Sequence, residues 1–393
     1  MKHVSAALAV AALLVFGACA APPATAPAPD RPGCITAFDP ATDYFPVKAE
    51  LAHARNVTLT YERSYQVLTV RQPFPGAAPE SYVLLKCGAP KPQLPSQLAA
   101  APVVETPVRS LYSESTTQLP MIVEIGALDV LTGVAAPDFV SGAEVRAKIA
   151  AGGVAAFAPD AQINTEAVVT AEPDVLLSQG ADNPAFPALR GAGIPVIGWA
   201  EYLEASPLGQ AEWIKIMGAL TGHEVDAARV FDGIEQRYTG TAAKAAAVPP
   251  APVLIGSLFQ GTWSVPTGGG TAGVLFRDAG ATWSERDNPI VGSVPKDFET
   301  VFATDGSAPT WLTDGPLPTR AAAVAADPRY ADLTAVRTGT IWTRDKLKGP
   351  TGGNDVFERG VTHPDEILAD IVAVLHPELM PGHQFVYYQQ ASG

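Results

Sequence analysis

Short apolar runs separated by polar, turn-forming stretches recur along most of the chain. Segment 164–199, NTEAVVTAEPDVLLSQGADNPAFPALRGAGIPVIGW, gives the fullest example. Thr165 can cap a short helix, Glu166 suits its first turn by charge–dipole attraction, and Pro173 blocks its continuation. A buried strand is expected at 175–177. Beyond the turn-prone SQGADN, Pro184 can open a second helix through Leu189, Gly191 and Gly193 can end it, and IPVIGW supplies the next strand. Strand, helix and strand in that order imply a parallel α/β sheet.

Nearer the N-terminus, NVTLTY, SYQVLTV and SYVLLKC alternate apolar and polar positions, which predicts a small antiparallel sheet within 34–98. A strand is expected at 108–112, a polar loop at 113–117, a helix to Gly126 and a strand near 131–134. From Pro207 the pattern is helical, broken at Thr221 and Gly222. It resumes over 224–247, where Val225, Ala228, Phe231, Ile234 and Tyr238 recur at helical spacing. Further strands are expected at 253–259, 309–313 and 340–343, with helices at 272–279 and in PDEILADIVAVLHPEL.

Glu166 ahead of EPDVLL, followed by GIPVIGW, resembles the substrate-binding proteins of bacterial iron-siderophore and cobalamin ABC importers, and the similarity runs over about 107–380. The resemblance implies an α/β fold of two Rossmann-like lobes joined by a long helix, to which this chain adds its small N-terminal antiparallel β part. The implied divisions are a first lobe at 99–222, the helix at 223–249 and a second lobe at 250–393. It also implies a monomeric binding protein rather than an enzyme, with small closure on its ligand. The ligand would be a ferric siderophore or similar metal chelate, with a corrinoid such as cobalamin as the alternative, delivered to an ABC permease. No resident cofactor is expected; any metal arrives inside the chelate. KDFETVF puts Glu299 in a helix first turn, as Glu166 is, and the family docks one such acid per lobe on permease arginines. Helix-dipole complementarity alone would also explain either residue.

With 393 residues, 47% hydrophobic and 17% charged, the chain can bury two cores, and a net charge of -14 argues against nucleic acid as a partner. MKHVSAALAVAALLVFGAC has one Lys, an apolar run and then small residues, as an export signal does. Phe-Gly-Ala-Cys resembles a bacterial lipobox, so 1–19 reads as a lipoprotein signal peptide whose Cys19 is lipidated, becomes the mature N-terminus and serves as a membrane anchor; cleavage after Ala20 is the alternative. Segment 20–33 is a Pro/Ala-rich tether. Either product is exported, to the periplasm or cell surface. Cys34 and Cys87 remain, and a disulfide is the economical reading in an oxidising compartment, with two buried thiols as the alternative.

Candidate ligand contacts fall at strand ends. Ser115 and Thr116 lie where a strand gives way to a helix, although they can equally serve as caps. Trp199, Tyr202, Trp263 and Trp283 could line a cleft or fill a core. RDKLKGPTGGNDVFERG gathers Arg344, Lys346, Lys348 and Arg359 around a Gly-rich loop; guanidinium groups suit chelate carboxylate or catecholate oxygens, and solvated surface charge is the plainer reading. GGGTAG at 268–273 reads as a ligand-facing loop that opens a helix; a dinucleotide site would need a strand immediately before it, which Pro266 argues against, and an exported protein has little access to NAD. The six histidines show no metal-binding spacing.

Overall fold

The computed structural model describes residues 33–392, so Cys19, the export signal and all but the last residue of the tether lie outside the described residues. Strands β1 (Val57–Tyr61), β2 (Tyr65–Val70) and β3 (Glu80–Lys86) pair antiparallel. A fourth strand, β4 (Val103–Thr106), adds parallel to β3 from beyond residue 98, making this sheet mixed. Cys34 and Cys87 are joined by a disulfide, which ties residue 34 to the end of β3.

The first lobe contains β5 (Leu111–Ser113), β6 (Leu131–Val134), β7 (Ala155–Ala156), β8 (Val175–Leu177) and β9 (Val196–Ile197), all parallel in the order β7-β6-β5-β8-β9. Helix Thr165–Ala171 precedes β8. Its cap is Asn164 rather than Thr165, because the Asn164 Oδ1 accepts the Ala167 N–H at 3.0 Å while Thr165 is already helical. Phe186–Gly191 is the helix between β8 and β9.

Helix Glu224–Ala246 joins the lobes and, at 23 residues, spans about 35 Å. Its buried seam is Ala227, Phe231, Ile234, Tyr238 and Ala245, whereas Val225 is 61% exposed. Val225 lies about 120° around the helix from Phe231, and Ala227 only about 40°. Arg237 Nε donates to Asp365 at 2.6 Å and the Tyr238 hydroxyl to Asp278 at 2.7 Å, which fixes this helix to the second lobe.

The second lobe contains β10 (Ala251–Ile255), β11 (Leu258–Phe259), β12 (Thr262–Pro266), β13 (Ala281–Thr282), β14 (Ser293–Lys296), β15 (Thr310–Thr313), β16 (Ile341–Thr343) and β17 (Gln389–Gln390). The main sheet runs β13-β10-β15-β16-β17, parallel except for β17. The single strand expected at 253–259 divides in two. Gly256, at φ +89°, ends β10, and β11 then joins β12 and β14 in a separate antiparallel sheet. Among the described residues no helix is long and apolar enough to cross a membrane.

Candidate functional site

Ligands of open parallel sheets bind beyond the carboxyl ends of the strands, where the strand order reverses. In the first lobe the reversal lies between β5 and β8, and Glu114 occupies it: its N–H donates to the Leu177 carbonyl at 3.0 Å and its carboxylate accepts the Gln179 N–H at 2.8 Å. Ser115, Thr116 and Phe139 line a hollow of about 50 Å³ beside it. Ser115 is also a cap, accepting the Thr117 N–H at 3.3 Å. Its hydroxyl lies 2.9 Å from that of Thr117, which donates to Glu201 Oε1 at 2.5 Å. Glu201 is 3% exposed and forms no ion pair among the described residues. Burial pushes its carboxyl up to about 7. Burial also raises Glu114, against the opposing Gln179 N–H. Sequence reasoning passed over both acids, although each shares its strand end with a residue it did single out, Ser115 or Tyr202.

In the second lobe the reversal lies between β10 and β15, and a cavity of about 350 Å³ opens there. Ile255, Asp314 and Arg344 line it from the ends of β10, β15 and β16, joined by Leu275, Phe357 and Tyr388, with Pro207 and Gln210 completing another side. The wall is largely apolar. Its cation, Arg344, is 2.8 Å from Asp314 and its guanidinium carbon is 4.8 Å from the Phe357 ring centroid. The Arg344 Nε is buried without a hydrogen-bond partner among the described residues.

The structure corrects three of the expected aromatic contacts. Trp199 and Trp263 are fully buried and Trp283 is nearly so. Trp199 packs edge-on against Trp213 at 5.0 Å; Trp263 sits among Trp311, Phe298 and Tyr330 and donates to the Ile255 carbonyl at 2.8 Å; Trp283 donates to the Pro266 carbonyl at 2.7 Å. Trp263 and Trp283 satisfy their N–H within the core, whereas Trp199 is held by ring packing alone, its Nε1 without a partner among the described residues. Tyr202 stays 45% exposed at the first-lobe edge, its hydroxyl donating to the Gly180 carbonyl at 2.8 Å.

The basic cluster is divided between sites, with Arg344 at the strand-end cavity. Arg359 is absent from the strand-end cavity; it pairs with Glu366 and lies 3.5 Å from Glu124, beside a different interlobe cavity of about 260 Å³. Lys348 pairs with Asp345 at 2.6 Å and Lys346 donates to the Phe385 carbonyl. The Gly-rich loop is a strap between the lobes. Thr351 donates to the Asp138 carbonyl, and a Cβ on Gly353 would fall 2.2 Å from the Phe139 carbonyl oxygen. GGGTAG does open helix Thr271–Asp278, and Thr271 and Ala272 line the strand-end cavity, but a strand does precede it, since β12 runs through Pro266 in an antiparallel sheet, and Gly268 and Gly269 are pressed against the backbone of Arg286 and Pro289. Glu166 and Glu299 both lie exposed in helix first turns, Glu299 at 2.9 Å from Arg329. Among the described residues no group of three or more His, Cys, Asp or Glu could hold a metal ion.

Residues 115–346 match the model of the periplasmic binding protein family. An uncharacterized lipoprotein of Methanocaldococcus jannaschii is 26% identical over 200 residues, covering 50% of this chain and 46% of that protein, so the chain spans about half the length of this curated relative. Among solved structures, a periplasmic heme binding protein from Pseudomonas aeruginosa is similar at 22% identity and a TM-score of 0.51, covering 73% of this chain and 99% of that one. A periplasmic binding protein from Veillonella parvula reaches a TM-score of 0.57 at 14% identity, over 80% of this chain and 99% of its own. Helicobacter pylori Ceue with Ni(II) bound reaches 0.53 at 15%, over 72% and 88%. With the family model matched over more than half its length and two α/β lobes joined by one long helix, the chain belongs to the periplasmic binding protein family, which binds solutes for ABC transporters and is not a family of enzymes.

Proposed function

We propose that this protein is an exported receptor of an ABC importer, anchored through Cys19, that captures a ferric siderophore or similar metal chelate between its lobes and passes it to the permease. The observation that carries this reading is the cavity of about 350 Å³ at the carboxyl edge of the second lobe's strands. Its apolar and aromatic lining suits a ligand with broad greasy faces, and Arg344 offers a guanidinium for a chelate oxygen.

The charge balance narrows the class. Arg344 is shared with Asp314, so the cation in the cavity wall is already partly neutralised. That arrangement favours a near-neutral chelate over a strongly anionic one, and it supports a corrinoid or other macrocycle as the second reading. The Pseudomonas aeruginosa neighbour, a heme binding protein, belongs to that chemical class.

The test is native mass spectrometry of protein isolated from its own iron-limited cells, followed by tryptophan-fluorescence titration of the stripped form with a ferric catecholate, cyanocobalamin and hemin. A bound chelate that rebinds at about micromolar affinity or better, roughly -8 kcal/mol, supports the reading. A protein that carries no chelate and responds to none of the three is not such a receptor.

A further inference from the structure

The N-terminal part packs onto the rest of the chain at several points, among them Glu212, Arg190 and residues 198–204, a stretch that follows β9 and carries the buried Glu201 and the half-exposed Tyr202 at the carboxyl edge. Asn56 joins that stretch to the N-terminal part. Its side-chain N–H groups donate to the Ala200 carbonyl at 3.1 Å and the Gln72 carbonyl at 3.0 Å, its Oδ1 accepts the Gln72 N–H at 2.9 Å, and its own N–H donates to Glu204 at 2.9 Å. The amide is 7% exposed, and all of its side-chain hydrogens and its oxygen are engaged. Two further contacts hold the same stretch. The Gly198 N–H donates to the Tyr82 hydroxyl at 2.9 Å, and a Cβ on Gly198 would lie 2.2 Å from Pro73 Cβ, so the loop after β2 lies directly on this backbone. At the far end the Glu204 carboxylate accepts the Arg55 N–H at 2.6 Å, while the Glu204 carbonyl accepts the Thr271 hydroxyl at 2.8 Å. Thr271 lines the second-lobe cavity.

We propose that the N-terminal β subdomain is a working part of the ligand site, with Asn56 as a positioning residue that fixes the 198–204 wall and couples it, through Glu204 and Thr271, to the second-lobe cavity. The proposal rests on the receptor reading for the ligand but not for the clamp. A wall held from outside the lobe is preorganised, so less ordering remains to be done when a ligand binds. The same clamp gives the added sheet a role beyond burying its own core, since Arg55, Asn56 and Pro73 make their contacts from outside the strands, with Tyr82 of β3 reaching out from that core.

The experiment compares wild type with Asn56→Ala, with Gly198→Ala, which pushes on Pro73 without touching Asn56, and with Thr60→Ala on the exposed side of β1 as a control. Hydrogen exchange is read peptide by peptide, and affinity is read with hemin, cyanocobalamin and a ferric catecholate. The expected result is faster exchange confined to 198–204 and its neighbours in both test variants, with affinity for whichever probe wild type binds weakened about tenfold or more, and no change in Thr60→Ala. Unchanged exchange at 198–204 in both test variants overturns the clamp. Localised loosening with unchanged affinity overturns its role in binding. Wild type that binds none of the probes defeats the receptor reading instead, and the exchange data still decide the clamp. Should Asn56→Ala unfold throughout, Gly198→Ala carries the comparison.

Discussion

The Glu358 carboxylate of the second lobe accepts the N–H of Ser141 in the first lobe at 2.7 Å, and that of Gly142 at 2.9 Å. Gly142 is the N-cap of helix Ala143–Ala150 and has no side chain with which to cap it. One lobe therefore caps a helix of the other, and the acid also complements that helix's dipole. Glu358→Ala is expected to cost about 2 kcal/mol in chemical denaturation, because it strips a buried N–H pair of its acceptor, and to widen the particle in small-angle scattering. If both measurements match wild type, the lobes are held by other contacts.

Glu201 makes stability pH-dependent. Its carboxyl is raised from 4.5 to about 7 by burial, so the unfolded chain loses this proton first as pH rises. The contribution is fully present below about pH 4.5 and is lost as pH climbs through about 7, up to roughly 3 kcal/mol. Glu201→Gln keeps an acceptor for Thr117 and removes the titration. In urea melts the variant should gain on wild type between pH 5 and pH 8. Parallel curves over that range would mean that Glu201 ionises as an ordinary surface acid does.

The repeated strand and helix at 164–199 were legible because local periodicity and proline placement specify them: strands Val175–Leu177 and Val196–Ile197 fall where the apolar runs are. Which side of a strand end an aromatic ring takes is not a local property. Trp199 is buried by Trp213, and Trp263 by Trp311 and Tyr330, residues too far along the chain for any spacing rule to connect. The basic loop misled for the same reason. Lys348 has its partner Asp345 close by in sequence, but the charges of Arg344 and Arg359 are matched by Asp314 and Glu124, which only the fold brings near. The strap at Gly353 shares its composition with a flexible loop, and only the 2.2 Å approach to Phe139 distinguishes them.

Arg344 and Arg359 should separate binding from stability. Arg344→Ala removes the cation of the strand-end cavity and leaves Asp314 half-exposed to water, so affinity should fall about tenfold with melting little changed. Arg359→Ala leaves Glu124 and Glu366 without their guanidinium partner, so the melt should drop by about 2 kcal/mol while the folded fraction binds normally. The opposite pattern in titration and denaturation would move the ligand to the cavity beside Arg359.

Glu166 and Glu299 differ in a way that orders their expected effects on docking. Glu166 is exposed and makes no ion pair among the described residues, whereas Glu299 shares Arg329, which also holds Asp327 at 2.8 Å. A permease arginine would meet an unscreened acid at Glu166 and a partly neutralised one at Glu299. Charge reversal at Glu166 should therefore reduce uptake of the chelate more than reversal at Glu299, and the double variant should reduce it most. Ligand affinity should stay unchanged, because neither residue lines the strand-end cavity. Stability should fall by no more than about 0.5 kcal/mol, the worth of an exposed acid at a helix N-terminus. The check is cellular uptake of radio-iron chelate set beside fluorescence titration of the purified variants. Lost affinity would place these acids in the ligand site, and full uptake in the double variant would remove them from the docking surface.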